Sequence, residues 1–128
     1  MKKRILIVGT SPEVICLSQI TKNHKDFEHA KCATNLEGVF LPLDESDLVI
    51  DLGCRHETLS IVQLCAVTKK PVVIGTDNHP DAVMFAIEHV ASSIAVVFVS
   101  ENFITTENLL RASMMAHHKG PGIHRFTG

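Results

Sequence analysis

The chain lacks the features that mark several large classes of protein. It has no basic surplus, since 12 lysines and arginines stand against 14 aspartates and glutamates, and a domain that binds nucleic acid usually carries such a surplus. No apolar stretch approaches the ~20 residues that span a bilayer. The apolar run behind the basic residues 2–4 is too short for a signal peptide. We therefore expect a cytoplasmic protein with no nucleic-acid partner and no membrane partner.

Metal signatures and nucleophile motifs are also missing. The four cysteines form no CxxC pair, and disulfides are not expected in a reducing compartment. Three of them fall in apolar periodic segments and are predicted to pack as small hydrophobes: Cys16, Cys32 and Cys65. Cys54, His56 and His79 lie on predicted loops, but their spacing matches no zinc site. We expect no metal, and we assign no catalytic residue.

Short β-branched runs alternate with segments of helical periodicity along the chain. Strands are predicted at residues 4–8, 48–52, 72–74 and 94–99, with a weak one at 28–34, and helices at 12–21, 56–67, 80–91 and 105–117. Residues 35–47 suggest an irregular connection. Repeated βα units predict an α/β fold, namely a doubly wound parallel sheet of the Rossmann-like type in a single three-layer domain. We place this domain at residues 1–118 and expect residues 119–128, with three glycines and one proline, to be a loose tail.

Ligands of such sheets bind beyond the carboxyl ends of the strands, where the strand order reverses. The first loop keeps Gly9 from the glycine pattern of dinucleotide folds, but Pro12 and Ile15 occupy the next two glycine positions. Pro12 has no N–H to offer, and Glu13 adds negative charge where a pyrophosphate would sit. We therefore expect weak or absent binding of NADH and NADPH. The candidate cofactor-binding residues are Gly9, Ser11, Glu13, Gly53, Gly75, Thr76, Asn102 and Phe103.

Three motifs occur in order along the chain: VIDLGCRHET at residues 49–58, PVVIGTDN at 71–78 and SENFITTENLL at 100–110. In this the chain resembles the N-terminal nucleotide-binding domain of dihydrodipicolinate reductase. That family shows VIDFT-x-P-E-x-T, then PVVIGTTG, then APNFS-x-G-x-NLL. The resemblance extends over residues 3–112. Matching positions are Ile50, Asp51, Thr58, Gly75, Thr76, Asn102, Phe103 and Asn108.

The resemblance implies hydride transfer from NADH or NADPH in the lysine and diaminopimelate pathway. Gly75 and Thr76 would lie by the nicotinamide ribose, and Asn102 and Phe103 by the nicotinamide. The chain departs from the family pattern at four positions, namely Gly53, Arg55, Asp77 and Ile104. The substrate motif of the family, H-H-x-x-K-x-D-x-P-S-G-T, is not found in these residues. We therefore expect no reductase activity from this chain alone.

Two other classes of function remain open on the sequence. The chain is either a binding module that holds a nucleotide or another small ligand without chemistry, or a structural protein that has lost cofactor binding. An apolar arc on the last predicted helix also predicts self-association, most simply as a homodimer. Its members are Ile104, Leu109, Leu110, Met114 and Met115. The alternative is that Ile123 and Phe126 fold back over this helix and leave a monomer.

Overall fold

Six parallel strands form one sheet in the computed structural model, which describes residues 2–75 and 79–127. The strands are β1 Ile5–Val8, β2 Lys31–Ala33, β3 Leu48–Asp51, β4 Val72–Ile74, β5 Ala95–Val99 and β6 Gly122–Phe126. Their spatial order is β2-β1-β3-β4-β5-β6, and every neighbouring pair is parallel. The predicted doubly wound Rossmann-like fold is confirmed.

Successive side chains of each strand point to opposite faces of the sheet, so the core has one part on each face. Leu6, Val49 and Val96 belong to one cluster of buried side chains, whereas Ile7, Ile50 and Val97 belong to the other. Because both faces are covered, these strands are apolar at almost every position. The two layers of helices follow from this division.

The described residues include the α-helices α1 Pro12–Thr21, α2 Phe40–Leu43, α3 Thr58–Thr68, α4 Asp81–Val90 and α5 Thr106–His118. The first face packs on α3 and α4 through Ile61 and Ile87. The second packs on α1 and α5 through Leu17 and Leu109. None of the helices in the described part of the chain combines the length and apolarity that a bilayer crossing requires.

The largest difference from the sequence-based expectation lies at residues 119–128. Instead of a loose tail, Gly122–Phe126 forms edge strand β6, paired with β5 in the register Val97↔His124. Ile123 packs on the first cluster and Phe126 on the second, so the apolar residues of this segment complete the sheet. They do not fold back over α5 as the monomer alternative supposed.

Smaller differences concern the connection before β3 and the cysteines. Residues 35–47 contain a 3₁₀ turn, Leu36–Val39, which runs into α2. Cys65 is buried as expected, but Cys16 and Cys32 are exposed. Val14 and Leu17 of α1 and Ala33 of β2 are buried, while the two thiols lie on the solvent side of these elements, so the prediction that they pack in the core is wrong.

Candidate functional site

The strand order reverses between β1 and β3, and Gly9 lies at this point. Its φ is +136°, and a Cβ there would lie 2.6 Å from the carbonyl oxygen of Leu52. Two backbone hydrogen bonds fix the residues around this contact. Leu52 N–H donates to Val8 O at 2.8 Å, and Gly9 N–H donates to Ala33 O of β2 at 2.8 Å. Only glycine permits this combination of φ and contact, so the loops after β1 and β3 meet without a side chain between them.

A cleft of about 260 Å³ opens beside this contact at the carboxyl edge of the sheet. It lies among the loops after β1, β3, β4 and β5. Its lining residues are Ser11, Glu13, Leu52, Gly75, Glu101 and Ile104. The cleft therefore occupies the position where open parallel sheets bind their ligands.

Gly75 gives the cleft its depth. A Cβ at this position would lie 2.3 Å from Leu52 Cδ2 and 3.7 Å from Ile104 Cδ1. The Gly75 N–H donates to Asp51 O at 2.9 Å, which ties the loop after β4 to β3. Leu52 and Ile104 thus supply apolar walls that a side chain at Gly75 would displace.

The charge of the lining is negative. Glu13 lies in the first turn of α1 and Glu101 follows β5. Among the described residues that line this cleft, none is a Lys or an Arg. Phosphate groups are usually met by backbone N–H donors together with Lys or Arg, and here Pro12 removes one such donor. The cleft suits a neutral or cationic group better than a pyrophosphate.

The turn after β5 is fixed from α5. Asn102 and Phe103 lie in a 3₁₀ turn, Glu101–Phe103. Asn108 Nδ2 donates to Phe103 O at 2.9 Å, and Thr105 caps α5 by accepting from Asn108 N–H at 3.1 Å. This double contact fixes the turn, so that Glu101 at its start and Ile104 directly after it line the cleft.

A buried acid lies next to the cleft, beneath the loop after β3. Asp51 ends β3 and is 1% exposed. Its Oδ1 accepts from Gly53 N–H at 2.9 Å, and within residues 2–75 and 79–127 its Oδ2 has no hydrogen-bond partner. Burial raises the pKa of Asp51, against the opposing effects of the Gly53 N–H, the nearby Thr58 hydroxyl and the charge of His79.

The structure places the candidate residues predicted from the sequence in different positions relative to the cleft. Ser11, Glu13 and Gly75 line the cleft, while Gly9 supports it from behind and Gly53 holds Asp51 instead. Asn102 and Phe103 are exposed in the adjacent turn. Thr76 lies outside the described residues. Sequence reasoning missed Leu52, Glu101 and Ile104 as lining residues, although all three lie within the motif segments.

Cys54 and His56 are exposed and His79 is buried, so these three side chains do not form a common site. Across the described ranges, no three His, Cys, Asp or Glu side chains are placed to hold one metal ion. The arrangement of the described residues offers a binding surface at the carboxyl edge of the sheet.

Comparisons with solved structures support the fold of this chain. No protein-family model matches the chain. One similar solved structure is dipicolinate-bound dihydrodipicolinate reductase from Paenisporosarcina sp. TG-14, at 17% identity and a TM-score of 0.61, covering 77% of this chain and 47% of that chain. Another is the response regulator ChrA of a heme-sensing two-component system, at 16% identity and a TM-score of 0.59, covering 90% and 56%.

The chain thus spans about half the length of each of these two structures. At such identities the likeness shows a Rossmann-like α/β fold alone. The two matched proteins have different roles, and a shared fold of this kind does not carry a function with it.

Proposed function

We propose that this chain is a small-ligand-binding module whose ligand lies in the carboxyl-edge cleft, and that it carries out no reaction by itself. The observation that supports this most directly is the meeting of four loops at the strand-order reversal, with Gly9 and Gly75 keeping backbone and cleft free of side chains. Loop convergence at this point is the usual location of ligands in such sheets.

The ligand is proposed to be one ring-bearing group, such as a nucleoside or nicotinamide moiety. A volume of about 260 Å³ lies just below the ~300–1,000 Å³ of sites for drug-sized ligands. Leu52 and Ile104 offer apolar contact to a ring, and Ser11 offers a hydroxyl. Because Glu13 and Glu101 repel phosphate, intact NADH or NADPH should bind weakly.

A reductase role remains a finer proposal that rests on the motif resemblance. The likeness to a dihydrodipicolinate reductase supports cofactor binding of the NAD(P) type only as an extrapolation from the fold. Hydride transfer needs substrate groups held against the donor, and the family's substrate motif is not among these residues. We propose no turnover by the chain alone, and steady oxidation of NADPH with the fresh dihydrodipicolinate precursor would refute this.

Calorimetric titration with adenosine, nicotinamide mononucleotide, NADH and NADPH tests the proposal. We expect measurable binding of at least one ring-bearing compound, with NADH and NADPH no tighter than about 100 μM, an affinity of ~5.5 kcal/mol. Low-micromolar NADH binding would refute the charge argument. Absence of all binding would favour the structural role.

Two variants, one inside the cleft and one outside it, test whether the carboxylates of Glu13 and Glu101 weaken NADH binding. Glu13→Gln with Glu101→Gln should tighten NADH binding by about tenfold, because two like charges leave the phosphate environment. Glu88→Gln changes an exposed residue of α4 outside the cleft and should leave binding unchanged. An equal effect of both variants would show that net charge, and not the cleft, controls affinity.

A further inference from the structure

A second cavity lies at the opposite, amino edge of the sheet. Here α3 and α5 end, and β3, β4 and β5 begin. The volume is about 390 Å³, and the charged and titratable residues that line it are Asp47, Lys69, Lys70, His117 and Lys119. We refer to this cavity as the amino-edge pocket.

The lysines of the amino-edge pocket are not neutralised by the acid that shares it. Asp47 is engaged by Arg4, whose backbone N–H and Nη2 donate to its two carboxylate oxygens at 2.9 and 3.1 Å. Within the described part of the chain, the ion pairs are Arg4–Asp47, Lys31–Glu45 and Arg111–Glu107. None includes Lys69, Lys70 or Lys119.

The lysines are also not needed to cap the helices. The last carbonyls of α3 accept from backbone donors, with Lys69 N–H bonded to Ala66 O at 3.2 Å and Lys70 N–H to Cys65 O at 2.8 Å. At the end of α5, Lys119 N–H donates to Met115 O at 2.9 Å. Each helix end contributes roughly half a negative charge, which is less than the three ammonium groups supply.

The pKa values of two groups that line the pocket, Asp47 and His117, are lowered. The charge of Lys70 contributes to lowering the pKa of Asp47, for which Arg4 is the main cause. The pKa of His117 is lowered, first by burial and then by the charges of Lys3 and His118, with Asp47 acting in the opposite direction. Of these effects, the one of Lys70 on Asp47 comes from a lysine that lines the pocket.

Lys69 occupies a backbone position where lysine is unusual. It is the one non-glycine residue with positive φ among the described residues, at φ 61° and ψ 40°. Glycine is the common choice at such a helix end, because it carries no Cβ penalty. Residues in sparsely populated backbone conformations cluster at functional sites, so the charge of Lys69 beside this cavity is a candidate for a binding role.

We propose that the amino-edge pocket binds a small polyvalent oxyanion, a molecule that carries phosphate or several carboxylate groups. Lys69, Lys70 and Lys119 would contact its oxygens as charge-assisted donors. This site is separate from the carboxyl-edge cleft, where the acidic lining excludes the same chemistry.

The test is titration with inorganic pyrophosphate and, in parallel, with citrate, at low and at high salt. Binding of pyrophosphate alone would identify a phosphate site, and binding of both a general polyanion site. Either result should weaken as salt rises. No binding of either probe at low salt would overturn the proposal, as would binding of anionic vesicles or nucleic acid in its place.

Charge-removing variants locate the site. Lys70→Gln with Lys119→Gln should weaken binding about tenfold, whereas Lys22→Gln with Lys25→Gln, two exposed lysines outside the pocket, should not. Lys69→Gly should weaken binding while the thermal midpoint stays level or rises, which separates ligand contact from folding. Equal losses in the two lysine pairs would overturn the proposal.

The proposals for the two sites can be refuted independently of each other. Glu13→Gln with Glu101→Gln should leave pyrophosphate affinity unchanged, because those carboxylates lie at the other edge of the sheet. Tighter pyrophosphate binding in that variant would place the anion in the carboxyl-edge cleft and overturn the present assignment.

Discussion

Two aspartates in this chain experience opposite environments. Asp51 is enclosed at the end of β3, and burial raises its pKa. Asp47 lies directly before β3 and is partly exposed, and its hydrogen bonds to Arg4 lower its pKa. Raised and lowered pKa values change folding stability with pH in opposite directions.

Asp51→Asn should stabilise the protein at neutral pH by about 1 kcal/mol, because an amide oxygen still accepts from Gly53 N–H without burying a charge. A group whose folded pKa is raised stabilises only below its unfolded pKa, and that contribution is lost as pH rises through the folded pKa. The advantage of the variant should therefore shrink on acidification. Urea unfolding at several pH values measures it.

The control is Asp47→Asn, which should destabilise by no more than about 1 kcal/mol at neutral pH, since the Arg4 pair is partly exposed. A lowered folded pKa stabilises above the unfolded pKa, and this contribution disappears as pH falls through the folded pKa. The cost of Asp47→Asn should thus vanish in acid. A destabilised Asp51→Asn at neutral pH would mean that its carboxylate has an unseen favourable partner.

At the scale of elements, the loop after β1 depends on one glycine. Gly9→Ala should destabilise by about 3 kcal/mol or more, because the added Cβ would meet the Leu52 carbonyl and the φ is positive. Gly120→Ala is the matched control, since an added Cβ there meets nothing within 4 Å, and it should stay within about 0.5 kcal/mol of wild type. Thermal unfolding compares them.

The end of α3 gives the reverse expectation. Lys69→Gly should stabilise by about 0.5–1 kcal/mol, because glycine relieves the left-handed backbone. Gln63→Gly, at an exposed position inside the same helix, should destabilise by about 0.5 kcal/mol. If both variants lose stability, the backbone at Lys69 is less strained than its φ indicates.

Prolines, capping residues and polar loop residues predicted the elements whose ends depend on residues nearby in the sequence. The bounds of α1 agree with the prediction, since Pro12 at the first helical position and the polar residues after Thr21 delimit it. Strand β6 could not be predicted, because Gly120, Pro121 and Gly122 favour a loop and only pairing with β5 makes the segment a strand. Propensity yields to tertiary context in such edge strands.

The position of the candidate site at this edge of the sheet was predictable, and so was half of its lining, namely Ser11, Glu13 and Gly75. Parallel strands bring their carboxyl ends together, so Gly9 and Gly75 were expected near one another. That Leu52, Glu101 and Ile104 complete the cleft depends on how the loops are packed, for example on the Asn108 contact with Phe103 O. Such long-range placement leaves no periodic trace in the sequence.

At the scale of the whole molecule, the predicted apolar arc is partly used inside the fold. Leu109 and Leu110 are buried, and Ile104, Met114 and Met115 pack half-buried on the same cluster. Exposed apolar surface continues next to it on α1, where Ile15 is 63% exposed and Ile20 47% exposed. A groove of about 350 Å³ between α1 and α5 adjoins Ile20.

Self-association therefore stays a prediction, now centred on this groove. Ile20→Lys should convert a dimer of twice 14.0 kDa into the monomer, because a charge would be placed in an apolar interface. Val67→Lys, on the opposite face of the sheet and 80% exposed, should leave the dimer intact. Light scattering at tens of micromolar decides, and a monomeric wild type would refute the prediction.

The all-parallel pairing of the sheet also has a consequence in time. Four of the adjacent strand pairs in the described sheet are joined by a segment that contains a helix, and β1 and β3 are separated by α1, β2 and α2. Since these pairs are parallel, none of them forms from a tight hairpin as a local unit. The chain loses loop-closure entropy before the hydrogen bonds between parallel strands can stabilise it. Folding is therefore slower than for a helical bundle of equal length. A nascent or refolding chain of this kind therefore keeps its apolar strand edges accessible to other molecules for longer, and chaperones would act during that interval.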